Sequence, residues 1–396
     1  MNVYLDNNAT TAVAPEVIDA MTPFFKDQWG NPSSMHRFGG AVAHHVQLAR
    51  ERIAALLGAQ RGEIVFTSCG TESDNTALRG TLTRIPDKRH IITTKVEHPA
   101  VRTTCRWLRS QGYRLTELGV DAQGRLDLDE LTDAISDDTA IVSVMWANNE
   151  TGVVFPIDQI AGICKSRGVL FHCDAVQAVG KIQIDLSRTP IDLLAISGHK
   201  LHAPKGIGVL YVRRGTKLSP LMMGGHQERG RRAGTENVPY IVGLGRACEL
   251  VAENMAEENR RVKAMRDRLE RELLKRCSSA VVNGDVEHRL PNTSNISFEY
   301  VEGEAILLLM DQVGLAASSG SACTSGSLEP SHVLRAMGVP FTCVHGSIRF
   351  SLSRYNTEAE IDYVIEQIPR IIERLREISP YTESKPIADS VRSGSD

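Results

Sequence analysis

A lysine with polar neighbours follows directly after one of the apolar segments of the chain. Lys200 ends Ser197-Gly-His-Lys200, which comes after Leu193-Leu-Ala-Ile196. If that segment is a strand, the lysine lies at its carboxyl end, where a lowered pKa would let its amine form a Schiff base with a carbonyl compound. A solvated loop lysine is the alternative, and Lys205, between a proline and a glycine, is interpreted in that way.

Two further segments place polar groups after apolar ones. Asp174 ends Phe171-His-Cys-Asp174, at a position where parallel sheets bind ligands, although a turn or cap residue is the commoner role of such an aspartate. In Ser68-Cys-Gly-Thr-Glu-Ser-Asp-Asn75, Gly70 and Thr71 would open a helix whose free N–H groups suit a phosphate. A plain helix capped by Thr71 and Asp74 is the alternative, and on this segment alone it is favoured.

Arg349 alternates with apolar residues in Ser347-Ile-Arg-Phe-Ser-Leu352. A bidentate contact with a carboxylate would explain a guanidinium there, and an edge-strand salt bridge explains it equally well. His199 and His202 have a spacing compatible with a metal pair, but no third ligand is near them in the sequence. We therefore expect no intrinsic metal site.

Cys323 is the reactive group of a segment of small polar residues, Ser318-Ser-Gly-Ser-Ala-Cys-Thr-Ser-Gly-Ser327. Two glycines and several serines predict a mobile loop, which suits a nucleophile that must travel. An exposed thiol is a liability that a purely structural loop would avoid. Cys164, Cys173 and Cys248 lie in apolar patterns and are interpreted as core residues, whereas Cys69 neighbours the possible phosphate loop.

The elements that must position these groups alternate between strand and helix. Continuous apolar segments are typical of strands covered on both faces, and the alternation predicts an α/β fold with a mainly parallel sheet between helices. The predicted strands are 64–67, 91–94, 140–145, 169–173, 193–196 and 208–212, and the predicted helices between them are 100–111, 127–135 and 157–167.

A long amphipathic helix, about 238–277, is predicted to join this sheet to a smaller α+β domain. That domain would contain strands near 294–298 and 348–352 and helices near 304–312, 332–337 and 358–378. We predict a large α/β domain over 16–257 and a small domain formed by 1–15 with 258–380. The Ser/Pro-rich tail 381–396 is expected to be disordered.

Composition excludes several classes of protein. The chain has 396 residues, of which 42% are hydrophobic and 23% charged, and its net charge of −3 argues against a nucleic-acid binder held by bulk charge. No apolar segment approaches the roughly 18 residues of a membrane span, and the N-terminus has no secretory signal. Eight cysteines without a Cys-x-x-Cys pair are interpreted as thiols in the cytoplasm.

A phosphate-binding helix start, an acid and then a lysine together describe a pyridoxal 5′-phosphate site, in which the acid keeps the pyridine nitrogen protonated. Here the sequence resembles the cysteine desulfurases of fold-type I, in the aminotransferase class V group, and Gly224–Asn237 is most similar to their nitrogen-fixation (NifS) branch. The motifs that carry the resemblance are Leu5-Asp-Asn-Asn-Ala-Thr-Thr11, Gly30-Asn-Pro-Ser-Ser34, Glu97-His-Pro99, Asn148-Asn-Glu-Thr-Gly152, Ser197–Lys200 and Ser318–Ser327.

The resemblance implies a role for each matching residue. Lys200 would link covalently to the cofactor and later remove the substrate Cα proton, and Cys323 would be the nucleophile. His98 would stack on the ring and assist proton transfer. Asp174 would pair with the pyridine nitrogen and Gln177 with the ring hydroxyl, and Asn149 and Arg349 would orient the substrate. The residues that would hold the phosphate are Gly70, Thr71, Ser197, Gly198 and His199. Thr235 would reach the phosphate from the partner subunit of a homodimer.

The implied reaction converts L-cysteine to L-alanine and leaves a persulfide on Cys323. An iron–sulfur scaffold protein that serves nitrogenase assembly would accept the sulfur, and Cys323 would be the one point of transient contact with a cluster. No nucleic acid or membrane is expected. The rivals are a selenocysteine lyase or β-eliminating lyase on the same fold, and a non-catalytic sensor with a DNA-binding module, for which Met1–Asn31 is too short.

Overall fold

A computed structural model describes residues 1–319 and 330–379 of the chain. The predicted nucleophile Cys323 and the predicted tail 381–396 lie outside the described residues. The strands are β1 (Val3–Tyr4), β2 (Ile64–Thr67), β3 (His90–Thr94), β4 (Arg114–Leu118), β5 (Thr139–Ser143), β6 (Leu170–Asp174), β7 (Leu193–Ser197), β8 (Gly208–Val212), β9 (Ala280–Val282), β10 (Thr293–Phe298), β11 (Leu315–Ala316) and β12 (Ser347–Ser351).

The α-helices are distributed along the whole described part of the chain. They are α1 (Pro15–Met21), α2 (Pro23–Lys26), α3 (Arg37–Leu57), α4 (Gly70–Arg84), α5 (Pro99–Ser110), α6 (Leu128–Ala134), α7 (Ile157–Ser166), α8 (Val238–Arg276), α9 (Gly303–Gln312), α10 (His332–Ala336), α11 (Phe341–Val344) and α12 (Glu358–Ile378). No described helix has the length and apolar character that crossing a bilayer would require.

A seven-stranded sheet has the order β2-β8-β7-β6-β5-β3-β4. Strand β8 runs antiparallel to both of its neighbours, and the other pairs are parallel, so the predicted mainly parallel sheet is confirmed. The carboxyl ends of β2, β3, β5, β6 and β7 therefore meet at one edge. Each predicted strand of this sheet is present, and β4, which the sequence analysis missed, closes the other side.

Helices cover both faces of this sheet. Leu78 of α4 and Val101 of α5 pack with strand residues such as Ile91 on one face. The other face packs against α1, α3, α7 and the first part of α8, with Val46 and Leu244 among the buried residues. Every residue of β7 and β8 is buried, which explains why these strands are continuous apolar segments without alternation.

A separate hydrophobic core lies under the antiparallel sheet β12-β10-β9 and the parallel pair β1-β11. Helix α8 contributes to both cores, with residues up to Val251 in the first and residues from Val262 in the second. Leu5 also belongs to the second core, whereas Ala14 belongs to the first. The division into 16–257 and 1–15 with 258–380 stays a prediction, and this change of core supports it.

Candidate active site

A cavity of about 310 Å³ opens at the edge where the parallel strands end. Its volume is within the range of small-ligand pockets. Ten residues that the sequence analysis singled out line it: Gly70, Thr71, His98, Asn149, Asp174, Gln177, Ser197, His199, Lys200 and Arg349. They come from five strand ends of one sheet and from β12 of the other, so the fold brings together groups that are far apart in the chain.

Lys200 ends a single 3-10 turn, Gly198–Lys200, that follows β7 directly. Its Nζ donates hydrogen bonds to the main-chain oxygens of Asn8 and Ala9, the second at 2.8 Å. The preceding His199 contacts Thr10 through Nδ1 and Oγ1 at 3.1 Å. The amino-terminal segment therefore forms one wall of the site and holds the lysine amine in place.

Asp174 is the last residue of β6 and is only 5% exposed. Its Oδ1 accepts the main-chain N–H of Val176 at 2.9 Å. Burial, with the nearby Asp74 carboxyl, raises the pKa of Asp174 to about 7. A cationic N–H at this position would offset the cost of burying the charge, so the site suits a protonated ring nitrogen.

Helix α4 begins at the cavity without a side-chain cap. Cys69 is the N-cap residue and forms no side-chain cap hydrogen bond. The alternative in which Thr71 and Asp74 only cap this helix is therefore wrong. The first N–H groups of α4, at Gly70 and Thr71, are available to an anion. A Cβ on Gly70 would lie 2.7 Å from Cγ2 of Val176, so only glycine fits this close approach.

His98 is the N-cap residue of α5 and accepts the main-chain N–H of Ala100 at its Nδ1, at 3.2 Å. Burial and the charge of Lys200 lower the pKa of His98 to about 4. The ring is therefore neutral near pH 7, and because Nδ1 accepts a hydrogen bond, the proton lies on Nε2. The imidazole presents an N–H donor to whatever it faces.

Arg349 lies in the middle of the edge strand β12 and is 3% exposed. Nη2 donates to Oδ1 of Asp6 at 2.6 Å, and Nη1 donates to the main-chain oxygen of Asn149 at 2.9 Å. Its Nε has no hydrogen-bond partner among residues 1–319 and 330–379. The salt-bridge alternative is thus realised, and an unpaired guanidinium N–H remains for an anionic ligand.

Gln177 directs its amide to the same cavity. Its Nε2 donates to the main-chain oxygen of Asn8 at 3.0 Å. Its Oε1 is buried and has no partner within the described part of the chain. An unpaired buried amide atom is costly unless a ligand pairs with it, so Gln177 is available to a hydroxyl group of a bound ring.

Two predicted cofactor residues do not line this cavity. Gly198 lies beneath the turn, where a Cβ would be 2.8 Å from Cγ2 of Ile207, so its absent side chain serves packing. Thr235 is exposed and lies away from the cavity of its own chain. The cavity also contains residues that the sequence analysis did not predict for the site; among them, Asn8 belongs to a quoted motif and Asp74 was weighed only as a cap.

These donors and acceptors fit pyridoxal 5′-phosphate. An uncapped helix start with a neighbouring hydroxyl suits its phosphate, a buried acid suits its ring nitrogen, and a lysine suits its aldehyde. No cluster of three or more potential metal ligands is found in the described ranges. The buried acid, the lysine and the uncapped helix start are the groups that point to this organic cofactor.

Comparison with known proteins agrees with this assignment. The sequence model of the aminotransferase class-V family matches residues 3–364. A cysteine desulfurase of Trichormus azollae is 62% identical over 379 residues, covering 96% of this chain and 95% of the relative. The cysteine desulfurase NifS of Azotobacter vinelandii is 57% identical over 390 residues, covering 98% and 97%.

A solved structure titled NifS-like protein has the same fold, with a TM-score of 0.90 and 40% sequence identity. The likeness covers 95% of this chain and all of that one. The predicted fold class, a fold-type I α/β enzyme with a mainly parallel sheet, is confirmed. The chain belongs to the aminotransferase class-V family.

Proposed function

We propose that this protein is a pyridoxal 5′-phosphate-dependent cysteine desulfurase, which converts L-cysteine to L-alanine and transfers the sulfur atom to Cys323. The observation that carries the proposal is the convergence of Lys200, Asp174, His98 and Arg349 on one cavity at the carboxyl ends of the strands. The names of the two relatives, cysteine desulfurase in both cases, support the same activity.

The cofactor, when bound, supplies a conjugated ring that withdraws electrons from the substrate Cα. The start of α4, with Ser197 and His199, would hold its phosphate. Asp174 would pair with the ring nitrogen, Gln177 with the ring hydroxyl, and His98 would contact the ring. Lys200 would supply the amine for the covalent link.

Arg349 orients the substrate. Asp6 and the Asn149 main chain fix two of its nitrogens, which leaves the remaining N–H groups to bind the cysteine carboxylate. Asn149 itself also lines the cavity. Holding the carboxylate fixes the direction of the Cα–H bond and places the substrate thiol on a defined side.

Proton movement requires an uncharged amine on Lys200 once the substrate is bound. The main-chain oxygens of Asn8 and Ala9 keep Nζ near the cavity, where it takes the Cα proton. His98 is neutral and carries its proton on Nε2, so it can donate a hydrogen bond or a proton to the reacting substrate.

Sulfur transfer balances without an external oxidant. The Cys323 thiolate attacks the substrate Sγ, so that a new S–S bond forms as the substrate Cβ–Sγ bond breaks. The electron pair of the broken bond and a proton end on Cβ, which becomes the methyl group of alanine. A thiol near its ordinary pKa of about 8.5 is only a few per cent thiolate at neutral pH, so the site or the substrate must activate it.

The product persulfide would pass to an iron–sulfur scaffold protein, and the NifS relative supports a role in nitrogenase cluster assembly. A homodimer is part of this proposal. Thr235 is exposed in the single chain, and we place it at the phosphate site of a second copy. The seven cysteines in the described ranges are free thiols, which agrees with a reducing, cytoplasmic location.

Product analysis with purified protein tests this proposal. With L-cysteine and a reductant, we expect alanine and sulfide in equal amounts; pyruvate and ammonia in place of alanine would instead identify an eliminating lyase. Cys323→Ala should keep the cofactor absorption and lose sulfide release. Cys248→Ala, a buried thiol of α8, is the control and should keep turnover.

A further inference from the structure

A buried aspartate–histidine pair, Asp74 and His172, lies beside Asp174 at the wall of the cavity. Oδ1 of Asp74, near the start of α4, is 3.4 Å from Nε2 of His172. His172 precedes Asp174 by two residues on β6, so their side chains point to the same face of the sheet. Asp74 and His172 are 1% and 0% exposed. Water therefore does not solvate either group, and their protons must be placed by the protein.

The two aspartates differ in their hydrogen bonds. Asp174 accepts a main-chain N–H from Val176 at 2.9 Å. Oδ1 of Asp74 and Nε2 of His172 have no hydrogen-bond partner in the described ranges, and they lie 3.4 Å from each other. A closing of about 0.5 Å would bring this pair into the usual hydrogen-bond range. A buried carboxylate without donors is costly, whereas a carboxylic acid can donate its proton to imidazole.

The other nitrogen of His172 bonds a serine hydroxyl, and the role of Nδ1 in that bond sets the role of Nε2. Nδ1 lies 2.8 Å from Oγ of Ser143. If Nδ1 donates its proton to Ser143, Nε2 is left as an acceptor, and the proton between Nε2 and Asp74 belongs to the carboxyl. Burial lowers the pKa of His172 to about 4 and raises that of Asp74 well above its ordinary value. Both directions agree with a neutral imidazole facing a carboxylic acid.

We propose that Asp74 is a positioning residue, held as a neutral carboxylic acid by a buried hydrogen-bond chain through His172 to Ser143, so that the negative charge beside the cofactor ring nitrogen resides on Asp174. The inference rests on the proposed function for the role of Asp174. An ionised Asp74 would raise the pKa of Asp174. The hydrogen-bond chain thus gives two neighbouring acids different roles: Asp74 donates a proton, and Asp174 carries the negative charge.

Other titratable groups lie near this pair, and none of them takes over the role that we assign to Asp74. Burial raises the pKa of the Cys105 and Cys173 thiols, which are therefore neutral. Burial also raises the pKa of Glu97, which accepts hydrogen bonds through Oε1. The charge of Lys200 lowers the pKa of Asp174, the opposite of what an ionised Asp74 would do.

The protonation of Asp74 is measured directly by 13C NMR of cofactor-free protein labelled at the aspartate carboxyl carbons. Asp74→Asn identifies its signal by removing it. We expect a signal at the position of a protonated acid throughout pH 6 to 8. A signal at the position of a carboxylate in this range would overturn the proposal. The measurement uses neither cofactor nor cysteine, so its outcome is independent of whether the protein is a desulfurase.

The effect of Asp74 on the cofactor ring is tested with His172→Gln. The glutamine amide would donate an N–H to Asp74 and so favour the ionised form of Asp74. We expect the pH midpoint of the bound cofactor's visible absorption to rise by about one unit or more, because a new negative charge nearby favours the protonated, cationic form of the group that titrates. In the double variant with Asp74→Asn, that shift should vanish.

A shift that persists in the double variant, or no shift in the single variant, would overturn the proposal. Asp192→Asn is the matched control, because Asp192 is a partly buried acid that accepts a main-chain N–H, that of Phe171, at the opposite end of β6. The control should leave the midpoint unchanged, and an equal shift there would also count against Asp74. If His172→Gln does not fold, the NMR signal of the unaltered protein decides.

Discussion

Arg349 and Asp6 form a partly buried ion pair, with Nη2 and Oδ1 2.6 Å apart, which ties the amino-terminal segment to the edge strand β12. Their side chains are 4% and 19% exposed, so the guanidinium is shielded from solvent and the carboxylate is partly shielded. A buried guanidinium held by one carboxylate and one carbonyl keeps a fixed orientation. Asp6 therefore determines which N–H groups of Arg349 point towards a substrate carboxylate.

Replacing the carboxylate of this pair should weaken substrate binding. In Asp6→Asn the hydrogen bond to Arg349 survives without its charge, which costs about 1 kcal/mol. We expect the KM for L-cysteine to rise about fivefold to tenfold, with cofactor affinity unchanged. Steady-state kinetics, with cofactor binding measured separately by absorption, check this.

Glu270→Gln is the matched control. Glu270 accepts two hydrogen bonds from Arg289 at 2.6 Å, in an ion pair that does not line the cavity. This variant should lower the melting temperature and leave KM unchanged. An equal rise of KM in both variants would mean that Asp6 acts through general stability and not through Arg349.

Strong local patterns made most of the central sheet predictable. Buried strands such as β7 are continuous apolar segments, and their ends coincide with the polar residues of the site. Strand β4 was missed because it is an edge strand with partly exposed, charged residues such as Arg114 and Glu117. Its place in the sheet depends on pairing with β3, a contact that a local pattern does not encode.

The site was predictable where chemistry and strand ends coincide, as for Lys200 and Asp174. The contribution of Asn8 and Ala9 could not be derived from spacing, because their main-chain oxygens reach Lys200 across about half of the chain. Asp74 was weighed as a helix cap because its sequence position fits one. Its burial against β6 is a tertiary contact, which overrides the local preference.

Removing the buried charge of Asp174 should stabilise the cofactor-free protein at high pH. The pKa of Asp174 is raised to about 7 in the folded protein, above its ordinary value of 3.8. Its contribution to stability is therefore most favourable below about pH 4 and is lost as pH rises towards 7. The stability gained by Asp174→Asn should grow over this window, reach a few kcal/mol and then level off.

Denaturant unfolding of both cofactor-free proteins between about pH 4 and 8 measures this difference. The measurement at pH 4 is the internal control, because both side chains are then neutral in the folded proteins. The same variant should bind the cofactor more weakly. A stability difference that does not depend on pH would contradict the raised pKa of Asp174.

His98 should affect turnover without adding a titration near its ordinary pKa of about 6.5. Because its pKa is lowered to about 4, the imidazole is neutral throughout the physiological range. His98→Phe keeps an aromatic ring over the cofactor but has no N–H. We expect kcat to fall about 10²-fold or more, in the range for a lost proton-transfer group, with cofactor affinity within a few fold.

His90→Gln is the control for replacing a buried histidine. The pKa of His90 is also lowered to about 4, and its ring bonds Thr139 and Thr116 within the sheet. Its loss should reduce stability and leave kcat unchanged. A kcat profile of the unaltered protein with a step at pH 6.5 that disappears in His98→Phe would show that His98 titrates normally.

Gly70 should be required for cofactor binding because of the close approach of Val176. In Gly70→Ala the new Cβ would lie 2.7 Å from Cγ2 of Val176, so the start of α4 and the Val176 side chain must move apart, which disturbs the helix start at the phosphate position. We expect cofactor affinity to fall at least tenfold. Val176→Ala removes the clashing methyl group, so the double variant should recover most of the affinity. Gly40→Ala, which meets nothing within 4 Å in α3, is the control and should bind the cofactor normally. Fluorescence titration of cofactor-free proteins measures all four affinities, and a double variant no better than Gly70→Ala would place the requirement in the backbone of Gly70 itself.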